Sequence, residues 1–173
     1  LAPWLEQAGA FKREVSLPVF HAARITDLAT ARYAIAEGLL DMVAMTRAHI
    51  ADPHIVRKLE AGMEAHIRPC VGLTHCMSEH RPICAHNAAT GRERTMPHKI
   101  APKIGGAANG ALKVGVIGAG PGGMEAARVS AERGHDVVLF EATDRMGGQI
   151  NLATKVGHRE NLSASEPGSL THG

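Results

Sequence analysis

VGVIGAGPGGMEAARVSAERGHDVVLFEATDRMGG, residues 114–148, holds the reading that decides the fold. An apolar run, Val114 to Ile117, leads into Gly118-Ala119-Gly120-Pro121-Gly122-Gly123; a helix-like stretch follows, then a second apolar run, Val137–Phe140, closed by Glu141. This order predicts a βαβ unit that binds a dinucleotide. Gly118 permits the tight turn from strand to helix, and Gly120 lets the backbone approach a pyrophosphate. Gly123 lets helix and strand pack closely, and the free N–H groups of the helix start receive the phosphate charge. Glu141, eighteen residues past Gly123, stands where a carboxylate accepts hydrogen bonds from a ribose diol. The same carboxylate repels a 2′-phosphate, which favours an adenosine diphosphate moiety lacking it. A second glycine pair, Gly147-Gly148, follows.

Outward from this stretch, composition sets limits. Aromatic residues make up only 3% of the 173, so the core must be aliphatic. A net charge of +2 argues against nucleic acid or a membrane surface as partner. No apolar stretch reaches the length of a transmembrane helix, and the start lacks a signal-peptide layout. Three cysteines within fifteen residues do not form a secreted disulfide framework, so a reduced, cytoplasmic setting is expected. The opening reads as mid-domain, and the polar SASEPGSLTHG at the end reads as a disordered tail, a truncation scar or vector sequence; a fragment is expected.

The chain divides into residues 1–66, 67–112 and 113–162, with 163–173 as the tail. The first segment contains two strand-then-helix units. Residues 17–23 form a short apolar run ending at Arg24-Ile25; Thr26 or Asp27 caps a helix carrying Ala31, Ala34, Ile35 and Leu39, and Gly38 stops it. Asp41–Met45 is the next strand, ending at Thr46-Arg47, and Asp52-Pro53 opens a second helix. Strands alternating with helices imply a parallel α/β arrangement, and two such units cannot close a sheet alone. His21, within the first strand, reads as a hydrogen-bonded core residue. Residues 101–112 form a Gly/Ala/Pro linker.

The middle segment holds Cys70, Cys76 and Cys84 among His75, His80 and His86. Leu73 lies midway between the first two thiols, where a ligand is expected. Three readings stand side by side: an iron–sulfur cluster with a non-cysteine fourth ligand such as His75 or His80, a Cys3His zinc site, or unliganded thiols.

Taken together, PVFHAARI, DMVAMTRAHIADPHI, RPCVG, CAHNAATGRE, VIGAGPGG and FEATDRMGGQI resemble, in content and order, the multidomain NADH:flavin oxidoreductases related to old yellow enzyme. That family includes 2,4-dienoyl-CoA reductase and trimethylamine dehydrogenase. The resemblance runs from about Leu17 to Leu162, and the cysteine-segment wording leans toward the amine-oxidising, N-demethylating branch, such as N-methylproline demethylase-like proteins. It implies the last two β/α units of a TIM barrel, a cysteine-rich loop, and the start of a Rossmann-like FAD/NAD(P)-binding domain.

Several residue roles follow from that resemblance. Ala23-Arg24 and Thr46-Arg47 match the ends of the seventh and eighth barrel strands, where the phosphate of FMN is held. Ala23 and Thr46 stand where the family often has glycine. Cys70, Cys76 and Cys84 match three of the four ligands of a [4Fe–4S] cluster; Leu73 stands at the second, and the stretch before Cys84 is short. Gly118, Gly120, Pro121, Gly122, Gly123 and Glu141 match the site for FAD, or ADP alone, and Gly148-Gln149 the glycine turn near it. The implied protein passes electrons between a small-molecule substrate at FMN, an iron–sulfur centre and an FAD/NAD(P)H domain. This chain alone is expected to be catalytically silent, needing the N-terminal barrel segment; a homo-oligomer is compatible with it. The rival expectation is a non-catalytic nucleotide-binding module with a structural metal or none.

Overall fold

The computed structural model describes residues 2–78, 80–100 and 110–156. The chain falls into two compact units, Leu1–Glu93 and Arg94–Gly173, with the cysteine-bearing loop inside the first. The tail expected at 163–173 and most of the linker expected at 101–112 lie outside the described residues.

In the first unit, α1 (Leu5–Glu14) precedes β1 (Phe20–His21), α2 (Leu28–Ala36), β2 (Met42–Val43), α3 (Thr46–Ala51) and α4 (Ile55–Glu60); a 3-10 turn at Glu64–His66 and the short α5 (His75–Ser78) follow. β1 and β2 pair in parallel, Phe20 opposite Met42 and His21 opposite Val43, as the alternation of strands and helices implied. Asp27 caps α2, its carboxylate accepting the Thr30 amide at 2.8 Å and hydroxyl at 2.9 Å. Gly38, at φ +64°, ends it: the Gly38 amide donates to the Ile35 carbonyl and the Leu39 amide to that of Ala34. Leu5, Ile25, Ala34, Leu40, Met45, Ala48 and Ile55 form the core, aliphatic as the composition required.

Two expectations for this unit need correction. Thr46 and Arg47 do not end a strand; they begin α3. Asp52-Pro53 does not open a helix either, since α4 starts at Ile55 and Asp52 terminates α3. The cause is tertiary. The buried Asp52 carboxylate accepts the amides of His54 at 3.0 Å and Arg68 at 2.9 Å and pairs with the Lys58 ammonium at 2.5 Å, so it is spent on holding the following loop. Burial pushes its pKa up, but the Lys58 ammonium and the two amides outweigh that and hold it below the usual carboxylate range. α1 was not foreseen from the sequence. Its Gly9 faces Leu39, whose Cδ2 would lie 2.7 Å from any added Cβ.

The second unit contains β3 (Lys113–Ile117), α6 (Pro121–Glu132), β4 (Asp136–Phe140) and α7 (Ile150–Ala153). β3 and β4 pair in parallel from Lys113 opposite Asp136 to Ile117 opposite Phe140. Along both strands burial alternates, with Val114, Val116, Val137 and Leu139 half-buried. α6 buries Met124 and Ala127 and packs on both strands. Ile117, 90% exposed, together with Val138 and Phe140 leaves the opposite face uncovered among the described residues. Gly134, at φ +87°, closes α6, its amide donating to Ala131 and that of His135 to Ser130. Strand, helix and strand thus stand where residues 114–140 predicted them.

Candidate nucleotide site and thiol cleft

The second unit's site grows from the end of β3. The Gly118 amide donates to the Phe140 carbonyl at 2.7 Å, so the chain leaves the sheet while still bonded to β4. Gly118 turns there with φ +96°, a conformation that favours glycine. Gly120 caps α6 with extended backbone, and Pro121 occupies the first helical position. The first bond of the helix runs from the Met124 amide to the Gly120 carbonyl at 2.9 Å. The amides of Gly122 and Gly123, in the first turn, have no acceptor among the described residues.

The glycines serve different ends. A Cβ on Gly123 would stand 1.8 Å from the Gly118 carbonyl oxygen, so this glycine is required by the chain's own packing. A Cβ on Gly120 or Gly122 would meet nothing within 4 Å. Those two positions border open space that the described residues leave unfilled, beside amides with no acceptor among them and the positive end of a twelve-residue helix. A diphosphate fits this cradle in charge and in space.

Glu141 turns toward the loop. Its Oε2 accepts the Ala119 amide at 2.8 Å, and its Oε1 accepts the Thr143 amide and hydroxyl, each at 3.0 Å. The Ala119 amide foremost, then the amide and hydroxyl of Thr143, hold its pKa below the ordinary range, so it is a carboxylate at neutral pH. An ionised carboxylate accepts about four hydrogen bonds, which leaves Oε2 acceptor capacity for a sugar hydroxyl. The Gly147-Gly148 turn closes on the same loop: the Gly147 amide donates to the Ala119 carbonyl at 2.8 Å, and Gly148 at φ +52° lies against Gly120. Gln149 is exposed at the start of α7. Sequence reasoning missed Ala119 and Thr143 as the groups that aim Glu141; the hydroxyl two residues past the acid was the available signal.

In the first unit, the Ala44 amide donates to the His21 carbonyl at 2.9 Å, so the C-terminal ends of β1 and β2 lie side by side. Ala23 and Arg24 follow β1 with φ +104° and +60°, both left-handed without being glycine. Strain of this kind concentrates at functional sites and costs on the order of 1–3 kcal/mol per residue. It gives a physical reason for a glycine to be favoured at position 23. His21 departs from expectation: its Nε2 is buried and has no hydrogen-bond partner among the described residues. Thr46 is exposed at the first turn of α3, while Arg47, half-buried, faces a different feature.

That feature is a cleft lined by Cys70, Cys76 and Cys84 together with Arg47, Leu73 and His75. The loop that carries it is clamped at both stems. Asp52 holds the Arg68 amide, the Asn87 side-chain amide donates to the Ile50 carbonyl at 2.8 Å, and Arg68 Nη1 donates to the His86 carbonyl at 3.3 Å. All three thiols are free and half-buried. Among the described residues no group of three or more His, Cys, Asp or Glu side chains is gathered closely enough to hold a metal ion. With only three sulfurs, and Leu73 where the fourth is expected, the donor set does not fit a four-cysteine [4Fe–4S] cluster. No described helix is long and apolar enough to cross a membrane.

Residues 116–165 match the NAD(P)-binding Rossmann-like domain family. Over 93% of its length the chain is 57% identical to the multifunctional alkene reductase/demethylase OYE of Caballeronia cordobensis and covers 23% of that protein. It is 50% identical, again over 93% of its length, to a probable N-methylproline demethylase of Rhizobium meliloti (strain 1021), of which it covers 24%. Among solved structures, a 2-naphthoyl-CoA reductase in complex with 2-naphthoyl-CoA superposes with a TM-score of 0.81 at 32% identity, over 94% of this chain and 25% of that one. The chain therefore spans about a quarter of the length of the relatives it matches.

Proposed function

We propose, from the premise that this chain is kin to the old yellow enzyme-related NADH:flavin oxidoreductases, that it serves a flavin-dependent oxidoreductase by holding parts of two cofactors. In this reading the second unit binds the ADP portion of FAD, or ADP itself, and the first unit supplies the last two β/α units of a TIM barrel. The ends of β1 and β2, with Ala23-Arg24 and Thr46-Arg47, take the phosphate of FMN. A flavin supplies the hydride and single-electron chemistry when bound.

The chain's own residues bind and orient. The Gly122 and Gly123 amides and the start of α6 receive the diphosphate. Glu141, ionised and held by Ala119, accepts from the ribose hydroxyls. Arg24 and Arg47 offer fixed positive charge to a phosphate, and the unpartnered His21 Nε2 is a polar atom with capacity to spare. Reduction of an alkene or oxidative removal of an N-methyl group are the reaction classes that the relatives' names suggest, and the match to an NAD(P)-binding domain supports NAD(P)H as the electron source for the first.

The observation that carries the nucleotide reading is the joint placement of an open cradle at Gly120 and Gly122 with a carboxylate tied to the same loop. Calorimetry with ADP, FAD and a 2′-phosphorylated adenosine nucleotide tests it. ADP and FAD are expected to bind, and the 2′-phosphate to weaken binding through repulsion by Glu141. Equal affinity for nucleotides with and without that phosphate would contradict the assigned role.

A further inference from the structure

Within the second unit the Glu141 carboxylate belongs to a closed hydrogen-bonded circuit. The Ala119 amide donates to its Oε2, and the amide and hydroxyl of Thr143 donate to its Oε1. The same hydroxyl lies 2.9 Å from the Arg145 carbonyl oxygen, and the Gly147 amide donates back to the Ala119 carbonyl at 2.8 Å. Asn151 Nδ2, donating to the Met146 carbonyl at 2.8 Å, pins the chain between them. The circuit thus leaves Ala119 by its amide and returns by its carbonyl, which ties the acid to the loop of Gly118 and Gly120. Among the described residues, the Thr143 hydroxyl is the one side-chain group that donates to Glu141; the other donors are backbone amides. It is therefore the one contact on the acid that a substitution removes without altering the chain.

We propose that Thr143 is the positioning residue that gives this site its preference for a ribonucleoside diphosphate over a deoxy-sugar one, acting through Glu141 without touching the nucleotide. A glutamate on a loop samples several rotamers, and a ligand that needs one of them bears the entropy of selecting it. Residues 142–146 are all exposed, so hydrogen bonds rather than packing restrain the acid on that side. Thr143 is suited to the task. Its β-branched side chain is stiff at χ1, and its one hydroxyl hydrogen is shared between Oε1 at 3.0 Å and the Arg145 carbonyl at 2.9 Å. With both Thr143 donors on Oε1, Oε2 is the oxygen with more acceptor capacity left for the sugar. The carboxylate waits in the orientation it needs, and the sugar hydroxyl is recognised with little further ordering. The inference rests on the reading of Glu141 as the ribose acceptor and adds the group that sets the strength of that recognition.

The test is calorimetry on the full chain with ADP, 2′-deoxy-ADP and 3′-deoxy-ADP, for wild type, Thr143→Val and Thr143→Ser. A hydrogen bond to a charged group predicts that wild type binds ADP at least about tenfold more tightly than the weaker of the two deoxy analogues. Thr143→Val keeps the shape and the backbone amide but loses the hydroxyl. It should shrink that ratio about fivefold while leaving the affinity for the weaker analogue unchanged, and Thr143→Ser should restore most of the ratio. Thermal melts of the three chains should coincide. A Thr143→Val chain with the wild-type ratio would overturn the inference, as would an equal loss of affinity for all three nucleotides or a ratio that serine fails to restore. The two readings fail differently. A wild type that binds ADP and both deoxy analogues equally removes the role of Glu141 and this inference with it, whereas a wild-type preference that survives in Thr143→Val removes only this inference.

Discussion

Two alanines placed three residues apart in the glycine loop should act in opposite ways. Replacing Gly123 puts a methyl group 1.8 Å from the Gly118 carbonyl oxygen, and real Cβ atoms stay beyond 3.0 Å, so the start of α6 must move by about 1.2 Å. The obstructing atom belongs to backbone, which places the penalty at the upper end of overpacking costs, about 3 kcal/mol. Removing a helical glycine returns up to about 1 kcal/mol. The net loss of about 2 kcal/mol corresponds to a fall in Tm of roughly 4–8 °C for a chain of this size. Replacing Gly120 is different. Its φ of −71° suits alanine, and the added methyl meets nothing within 4 Å. Gly120→Ala should therefore leave Tm unchanged within about 2 °C, yet weaken ADP binding at least tenfold, or about 1.4 kcal/mol, because the methyl enters the space reserved for the diphosphate. Thermal melts and calorimetry on both variants decide the matter. A Gly120→Ala chain with wild-type ADP affinity would refute the cradle, and a Gly123→Ala chain with wild-type stability would refute the packing argument.

Other perturbations probe the remaining parts. Ala23→Gly relieves a φ of +104° and should raise stability by about 1 kcal/mol after the entropy of the new glycine is counted, measurable by urea titration. Asp52→Ala strands the Lys58 ammonium and frees the Arg68 amide, and should destabilise the first unit by about 3–5 kcal/mol in the same assay. Because the Asp52 pKa is lowered in the fold, its contribution is fully present above the unfolded value of about 4 and drains away as pH falls through the folded one, so acid titration of Asp52→Asn should show a shallower decline than wild type. Glu141→Gln should weaken ADP binding and reduce the discrimination against a 2′-phosphate. In the wild type, affinity for FAD, whose pyrophosphate does not titrate between neutral pH and the carboxylate range, should hold steady over that interval, since Glu141 is held ionised.

The second unit was legible in the sequence because each of its signals is local. The apolar runs, the glycine spacing and Glu141 lie within one crossover, and strand, helix and strand fall on them. The first unit was legible in type but not in its boundaries. β1 and β2 shrink to two paired residues each, and α1 was hidden because the Gly9 that lets it approach Leu39 also weakens its helical signal. Asp52-Pro53 carries the local signature of a helix start, yet the carboxylate answers to Lys58 and to Arg68, sixteen residues away, which no local pattern encodes. Spacing brought the three cysteines to notice, but that Leu73 and Arg47 share their cleft is a fact of tertiary structure. The aim of Glu141 likewise depends on Ala119, across the crossover.

The central claim, that the amides at the start of α6 hold a diphosphate while Glu141 grips the adjoining sugar, is tested most directly by following backbone amide resonances during titration with ADP and, separately, with adenosine. ADP should shift Ala119, Gly120, Gly122 and Gly123 most strongly and saturably, and adenosine, lacking the diphosphate, should leave Gly122 and Gly123 nearly unmoved. Saturating shifts that bypass these glycines, or equal responses to the two ligands, would contradict it.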